Sequence, residues 1–104
     1  MGAVVSALSQ DQGEAANIIA LIKPQFEAGR AEANRGEGVI RDPAVHRAIV
    51  EDILTTAVSL GYAVKGLLRS PLLGPKGNVE FLAWLVIPPT HQLPLNEIIA
   101  EVFE

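Results

Sequence analysis

Apolar residues along this chain gather into two kinds of block, continuous runs and stripes at helical spacing. The first run, Ala16-Asn17-Ile18-Ile19-Ala20-Leu21-Ile22-Lys23, is closed by Pro24 and suits a strand buried on both faces. The proline also holds Lys23 extended. Residues 24–41 carry Gly29, Gly36 and Gly38 among mixed charges. They read as a long loop with a turn of helix around 27–33, and loops of that length tend to be functional or disordered. Asp42 and Pro43 then open the strongest helix signal, one as N-cap and the other at the first helical position. Val45, Ile49, Ile53, Ala57 and Leu60, joined by Val50, Leu54 and Val58, form one broad stripe. Gly61 is the natural residue just past its end. Residues 62–69 read as a strand, 70–77 as a loop, and 78–87 as a second buried strand stopped by Pro88-Pro89. After Pro94, residues 95–103 have the spacing of a short amphipathic helix. Residues 1–13, mildly apolar and ending at Gly13, read as a short or broken helix.

A strand, helix, strand succession implies parallel strands joined by a right-handed crossover. The last two strands are separated by a stretch without a helix, too short for a parallel return, so they are expected to run antiparallel. The expected fold is therefore α/β, about three strands with the last one reversed, and flanking helices.

That topology brings two charged residues together. Lys23 ends the first strand and Glu80 lies near the start of the reversed one. Both fall at the sheet edge where open α/β sheets bind ligands. If the reversed strand lies next to the first, the pair faces one cleft. A structural ion pair is the competing explanation for such residues. Arg69 and Ser70, ending the second strand, share the edge. His46 and His91 are far apart, have no matching carboxylate spacing for a metal site, and read as surface residues. Gly74-Pro75-Lys76-Gly77 is neither a P-loop nor a dinucleotide fingerprint, so it reads as a plain turn. Phe81 and Trp84 read as core.

Composition narrows the class. The chain has 104 residues, enough for one small domain of its own. The absence of cysteine excludes a disulfide framework and thiol chemistry. Eight basic against twelve acidic residues give a net charge of −4, which speaks against an autonomous nucleic-acid binder. All eight basic residues lie between positions 23 and 76, where six acids accompany them. Interspersed signs of this kind are the usual solvated surface. No apolar run is long enough for a membrane span, and a cytoplasmic location is expected.

Three blocks carry a resemblance. Leu21-Ile22-Lys23-Pro24-Gln25-Phe26-Glu27-Ala28-Gly29-Arg30, Val39-Ile40-Arg41-Asp42-Pro43-Ala44-Val45-His46 and the run from Arg69 to Phe81 containing Gly-Pro-Lys-Gly-Asn-Val-Glu stand in this order. Together they resemble the carboxyl-terminal part of TlyA-type (hemolysin A) proteins, which are similar to FtsJ-like rRNA ribose 2′-O-methyltransferases. The resemblance implies a Rossmann-like sheet with the reversed strand inserted between the last two parallel ones. It implies S-adenosyl-L-methionine (AdoMet) as cofactor and ribosomal RNA as partner, usually behind an amino-terminal S4 RNA-binding domain. Of the family's Lys-Asp-Lys-Glu tetrad, the third and fourth members match Lys23 and Glu80; the earlier two have no counterpart. Nothing resembles the Gly-rich cofactor loop. Residues 1–104 are thus expected to be the carboxyl-terminal half of such a catalytic domain, inactive alone and holding no cofactor. Arg30, Arg41, Arg69, Ser70 and Lys76 are the candidates for RNA contact. The alternative is a non-catalytic remnant acting as an oligomerisation or binding module. Either way, the first strand of a half-sheet would leave an apolar edge open, so a homo-oligomer formed through that edge is expected.

Overall fold

A computed structural model describes residues 4–9, 16–27 and 39–104. Four strands, β1 (Val4–Ser9), β2 (Ala16–Ile22), β3 (Ala63–Arg69) and β4 (Phe81–Ile87), form one sheet in the order β1-β2-β4-β3. Among the described residues three helices accompany it: α1 (Pro24–Glu27), α2 (Pro43–Ser59) and α3 (Leu95–Phe103). A single 3-10 turn covers Pro75–Gly77.

Strand β4 is antiparallel to both β2 and β3. The two outer strands of that trio therefore run parallel to each other with the reversed strand between them, the arrangement the resemblance implies. The alternation of the strands sets the two faces. Ile18, Ala20 and Ile22 of β2 lie opposite Leu85, Ala83 and Phe81 of β4. These six are buried and join Val64, Val50, Ile53, Leu54, Ala57, Ile98 and Ile99 in one core. Both long helices therefore cover the same face of the sheet. At the helix ends, Arg47 of α2 is tied to Glu104 by an ion pair of 2.7 Å, exposed and so of small energetic weight.

The ends of α2 follow local rules. Asp42 is extended and its carboxylate accepts a hydrogen bond from Ala44 N at 2.9 Å. Pro43, with no N–H to leave unpaired, occupies the first turn. Gly61, at φ +99°, takes the left-handed conformation that ends the helix without a side-chain penalty.

Several sequence expectations need correction. Residues 4–9 form a strand, β1, rather than a helix; the segment pairs antiparallel with β2, Val4 opposite Leu21 and Ala7 opposite Ile18. An unpaired edge on an apolar strand is a strong template, and that demand overrides weak helical spacing. The same pairing removes the open β2 edge on which edge-to-edge association was expected. At the other edge, Gln92 bonds to β3 with both ends of its amide, accepting from Val64 N (2.7 Å) and donating to Val64 O (3.0 Å). Lys65 donates to His91 O beside it. Of the helical turn expected at 27–33, only Glu27 is described, within α1; residues 28–38 lie outside the described residues. The last strand begins its ladder at Phe81 rather than at Asn78.

Trp84 also departs from expectation. It is 45% exposed, because it lies on the face opposite the helices, across from Ile19 and Gly66. Its indole N–H donates to Asn17 at 2.9 Å. With Leu68 and Leu82, these residues line an apolar groove of about 350 Å³. Among the described residues no helix is long and apolar enough to cross a membrane.

The cap gives a direct test. Replacing Asp42 by alanine removes the acceptor of Ala44 N, and loss of such a cap costs about 1 kcal/mol. Urea unfolding of D42A is expected to show a lowered midpoint with an unchanged slope.

Candidate active site

Three chain segments meet where β2 ends. The last paired rows are Ile22 opposite Phe81 and Phe81 opposite Arg69. One step further, the same register sets Lys23 and Ser70 on either side of Glu80. The hydrogen bond from Ser70 N to Glu80 O at 2.8 Å continues the β3 side. The edge deduced from topology is therefore real, and Lys23, Glu80, Arg69 and Ser70 share it.

Their side chains differ sharply in setting. Pro24 stops β2 and starts α1, so the chain turns at once: Phe26 N and Glu27 N both bond to Lys23 O (2.9 and 3.3 Å). That turn folds Phe26 under Lys23, whose ammonium stands 5.2 Å above the ring centroid, a cation–π contact. Lys23 and Glu80 form no ion pair. Glu80 is only 7% exposed, and its sole hydrogen-bond donor among the described residues is Gln25, Nε2 to Oε2 at 3.0 Å. On the other side lies Gly74, where a Cβ would fall 2.1 Å from Oε2. A side chain there would displace the Glu80 carboxylate, so the glycine is explained by close approach and not by backbone angle. A carboxylate buried with one neutral donor and no cation is unfavourable for stability.

Behind Glu80 a second set of polar side chains fixes the surrounding loops. Asn78 is 2% exposed. It receives Ile40 N at Oδ1 (3.0 Å) and donates to Pro75 O (2.9 Å). His46, also 2% exposed, donates from Nε2 to Ile40 O at 2.6 Å and turns its ring edge to Phe81. Ile40 thus has both backbone groups held by side chains, one from the start of α2 six residues on and one from the loop before β4. His46 was expected at the surface. It is buried because its position on α2 faces the sheet, while its Nε2 finds a carbonyl. His91 is exposed, as expected.

The turn 74–77 uses its amides internally: Gly74 N bonds to Asn78 O, Gly77 N to Gly74 O and Asn78 N to Pro75 O. It is the plain turn that was expected, with Lys76 exposed on it. Arg41 and Arg69 are exposed as well. Arg41 reaches this end because its neighbour Ile40 is bound to Asn78. Arg30 lies outside the described residues. Among those described, no cluster of histidine and carboxylate groups is placed to hold a metal ion.

Gln25, Gly74, Asn78 and His46 were missed as site residues. Gln25 and Glu80 are 55 positions apart, so no spacing rule connects them. The available signal was that the three family-like blocks contain all four.

Arrangement and sequence together define the class: an α/β sheet of methyltransferase type, with its reversed strand inserted and a lysine and a glutamate at the ligand edge. The FtsJ-like methyltransferase family matches residues 2–86, and the chain belongs to that family. YqxC of Bacillus subtilis, which carries an rRNA methyltransferase name, is 42% identical over 90 residues, covering 83% of this chain and 32% of the relative. The 16S/23S rRNA (cytidine-2′-O)-methyltransferase TlyA of Mycobacterium tuberculosis is 41% identical over 83 residues, 80% of this chain and 29% of the relative. A solved Lactococcus lactis structure described as a hemolysin superposes with a TM-score of 0.68 at 44% identity, covering 83% of this chain and 42% of that one. The chain spans about a third of the length of the two named relatives.

Asn78 supplies the test of this construction. Truncation to alanine leaves Ile40 N without its partner, while Pro75 O keeps the backbone N–H of residue 78, and an unsatisfied buried group costs about 1–3 kcal/mol. Amide exchange at Ile40 is expected to accelerate in N78A ahead of exchange in β2 and β4.

Proposed function

We propose that this chain is the carboxyl-terminal half of the catalytic domain of an AdoMet-dependent rRNA ribose 2′-O-methyltransferase, inactive alone, with Lys23 and Glu80 as its catalytic residues. The observation that carries the reading is the buried Glu80 carboxylate, set beside Lys23 by strand register and paired with no cation among the described residues. A group held at such an energetic disadvantage points to function. The names of the relatives supply the substrate class.

A ribose hydroxyl is a weak nucleophile at neutral pH. In the assembled enzyme its oxygen would form the new C–O bond as the methyl–sulfur bond of AdoMet breaks and S-adenosylhomocysteine leaves, the hydroxyl proton being lost to solvent. Lys23, on the rim of the sheet, is placed to stabilise the charge developing on that oxygen. Glu80 orients the lysine and balances its charge. Its present partner is Gln25, so the closer Lys23–Glu80 contact belongs to the assembled site. Arg41, Arg69, Ser70 and Lys76 lie at the same end, where phosphate contacts would position RNA; Arg30, the remaining candidate, lies outside the described residues.

The one glycine-rich turn among the described residues does not fit AdoMet. The glycine turn at 74–77 spends its amides on itself and packs against Glu80, so it presents no cradle for a cofactor. In this reading the cofactor pocket and the first two tetrad members come with the larger part of the relatives' length.

The remnant reading has one observation in its favour, the uncovered apolar face of Ile19, Leu68, Leu82 and Trp84. Self-association of the chain would use this face, since β1 fills the β2 edge. If it does, emission from Trp84, the single tryptophan, shifts to the blue as concentration rises and W84K sediments as a monomer. Emission independent of concentration, with a monomer throughout, ends that reading.

The catalytic reading is tested by exchanging the matching segment of M. tuberculosis TlyA for this chain and measuring methyl transfer to rRNA. Lys23→Ala and Glu80→Gln are each expected to lower kcat by 100-fold or more, on the order of a lost transition-state contact, while the isolated chain transfers nothing. A K23A chimera as active as its parent removes Lys23 from catalysis.

A further inference from the structure

We infer that Gln25 is a positioning residue for this reaction, acting through Glu80 without touching the substrate. The inference rests on the reading of Glu80 given above.

Gln25 is 8% exposed and Glu80 7%, and the 3.0 Å bond between them is a buried contact of two side chains. The amide has one orientation available. Its NH2 end faces the carboxylate, because Oε1 in that place would set two acceptors against each other. Facing this way, Gln25 leaves Oε1 enclosed in protein with no partner. A buried orphan acceptor is destabilising. A leucine or methionine would fill the same space without that penalty, so packing does not explain the amide. Its donor does, since it is the one hydrogen bond the carboxylate receives.

The carboxylate is held on two sides. Gln25 takes Oε2 from one, and Gly74 abuts the same oxygen from the other, with room for no more than a hydrogen. Glu80 Oε1, by contrast, accepts no hydrogen bond among the described residues and is not fully enclosed. The clamp therefore selects which oxygen stays open toward the rim where Lys23 stands. Gln25 is two residues from Lys23, in the first turn of α1. One short helix thus carries the lysine's anchor and the hand that aims its carboxylate.

Two variants in the TlyA chimera test this. Gln25→Met keeps the volume and removes the donor. Gly74→Ala leaves Gln25 alone and drives a Cβ into the carboxylate; Gly74 has φ −81°, so alanine meets no backbone strain. Both are expected to lower kcat about 10-fold, the usual effect of losing an outer partner, with KM for RNA and for AdoMet unchanged. In the isolated chain, vicinal couplings should show Glu80 in one side-chain rotamer and show it averaging over several in Q25M. Q25M at the parent's kcat, while Glu80→Gln loses activity, overturns the inference; so does a Glu80 rotamer that Q25M leaves fixed. Should Q25M fail to fold, G74A decides by the same criteria. Failure of the underlying reading looks different, because then E80Q itself stays active.

Discussion

The reversed strand β4, inserted between two parallel neighbours, is the constraint on which the remainder of this molecule depends. Parallel strands joined through a helix leave a gap one strand wide, and β4 enters it from the opposite direction. Its first residues therefore arrive where its neighbours end. That geometry brings Glu80 to Lys23 and Ser70, and it forces the preceding turn to fold back so that Gly74 packs on the Glu80 carboxylate. Side-chain alternation along β4 then divides the sheet, with Phe81, Ala83 and Leu85 in the helix-covered core and Leu82 and Trp84 on the uncovered face.

Around this edge, stability and function pull apart. The hydrophobic core is continuous, and α2 is conventionally terminated at both ends. The polar residues behind the edge are buried under strict conditions: Asn78 and His46 hold both backbone groups of Ile40, while Gln25 Oε1, Glu27 Oε2 and His46 Nδ1 remain enclosed without partners. Such groups are tolerated where they hold a working geometry. They gather at the end of the sheet where β2 stops and β4 begins.

Much of the fold was legible because its signals are local. Asp42-Pro43 and Gly61 bound α2 as their chemistry requires, Pro94 precedes α3, and the continuous apolar runs became β2 and β4. The Lys23–Glu80 neighbourhood was also legible, because a short helix-free link forces antiparallel return. What was not legible depended on distant surroundings. Residues 4–9 became a strand because β2 had an edge to fill. His46 went inside because its place on α2 faces the sheet, where it meets Phe81 and the carbonyl of Ile40 accepts its ring N–H. Trp84 stayed out because both long helices chose the other face.

By itself, then, the sequence determined the elements, the reversal of the last strand and the charged pair at the sheet edge. These follow from periodicity, caps and loop length, all properties of neighbouring residues. Only the tertiary structure decided what Glu80 touches. Its partners, Gln25 and Gly74, come from the start of α1 and a turn between strands, and no periodicity links them. Burial and close approach are properties of the packed chain, and they convert a glutamate placed by topology into one held in a single orientation.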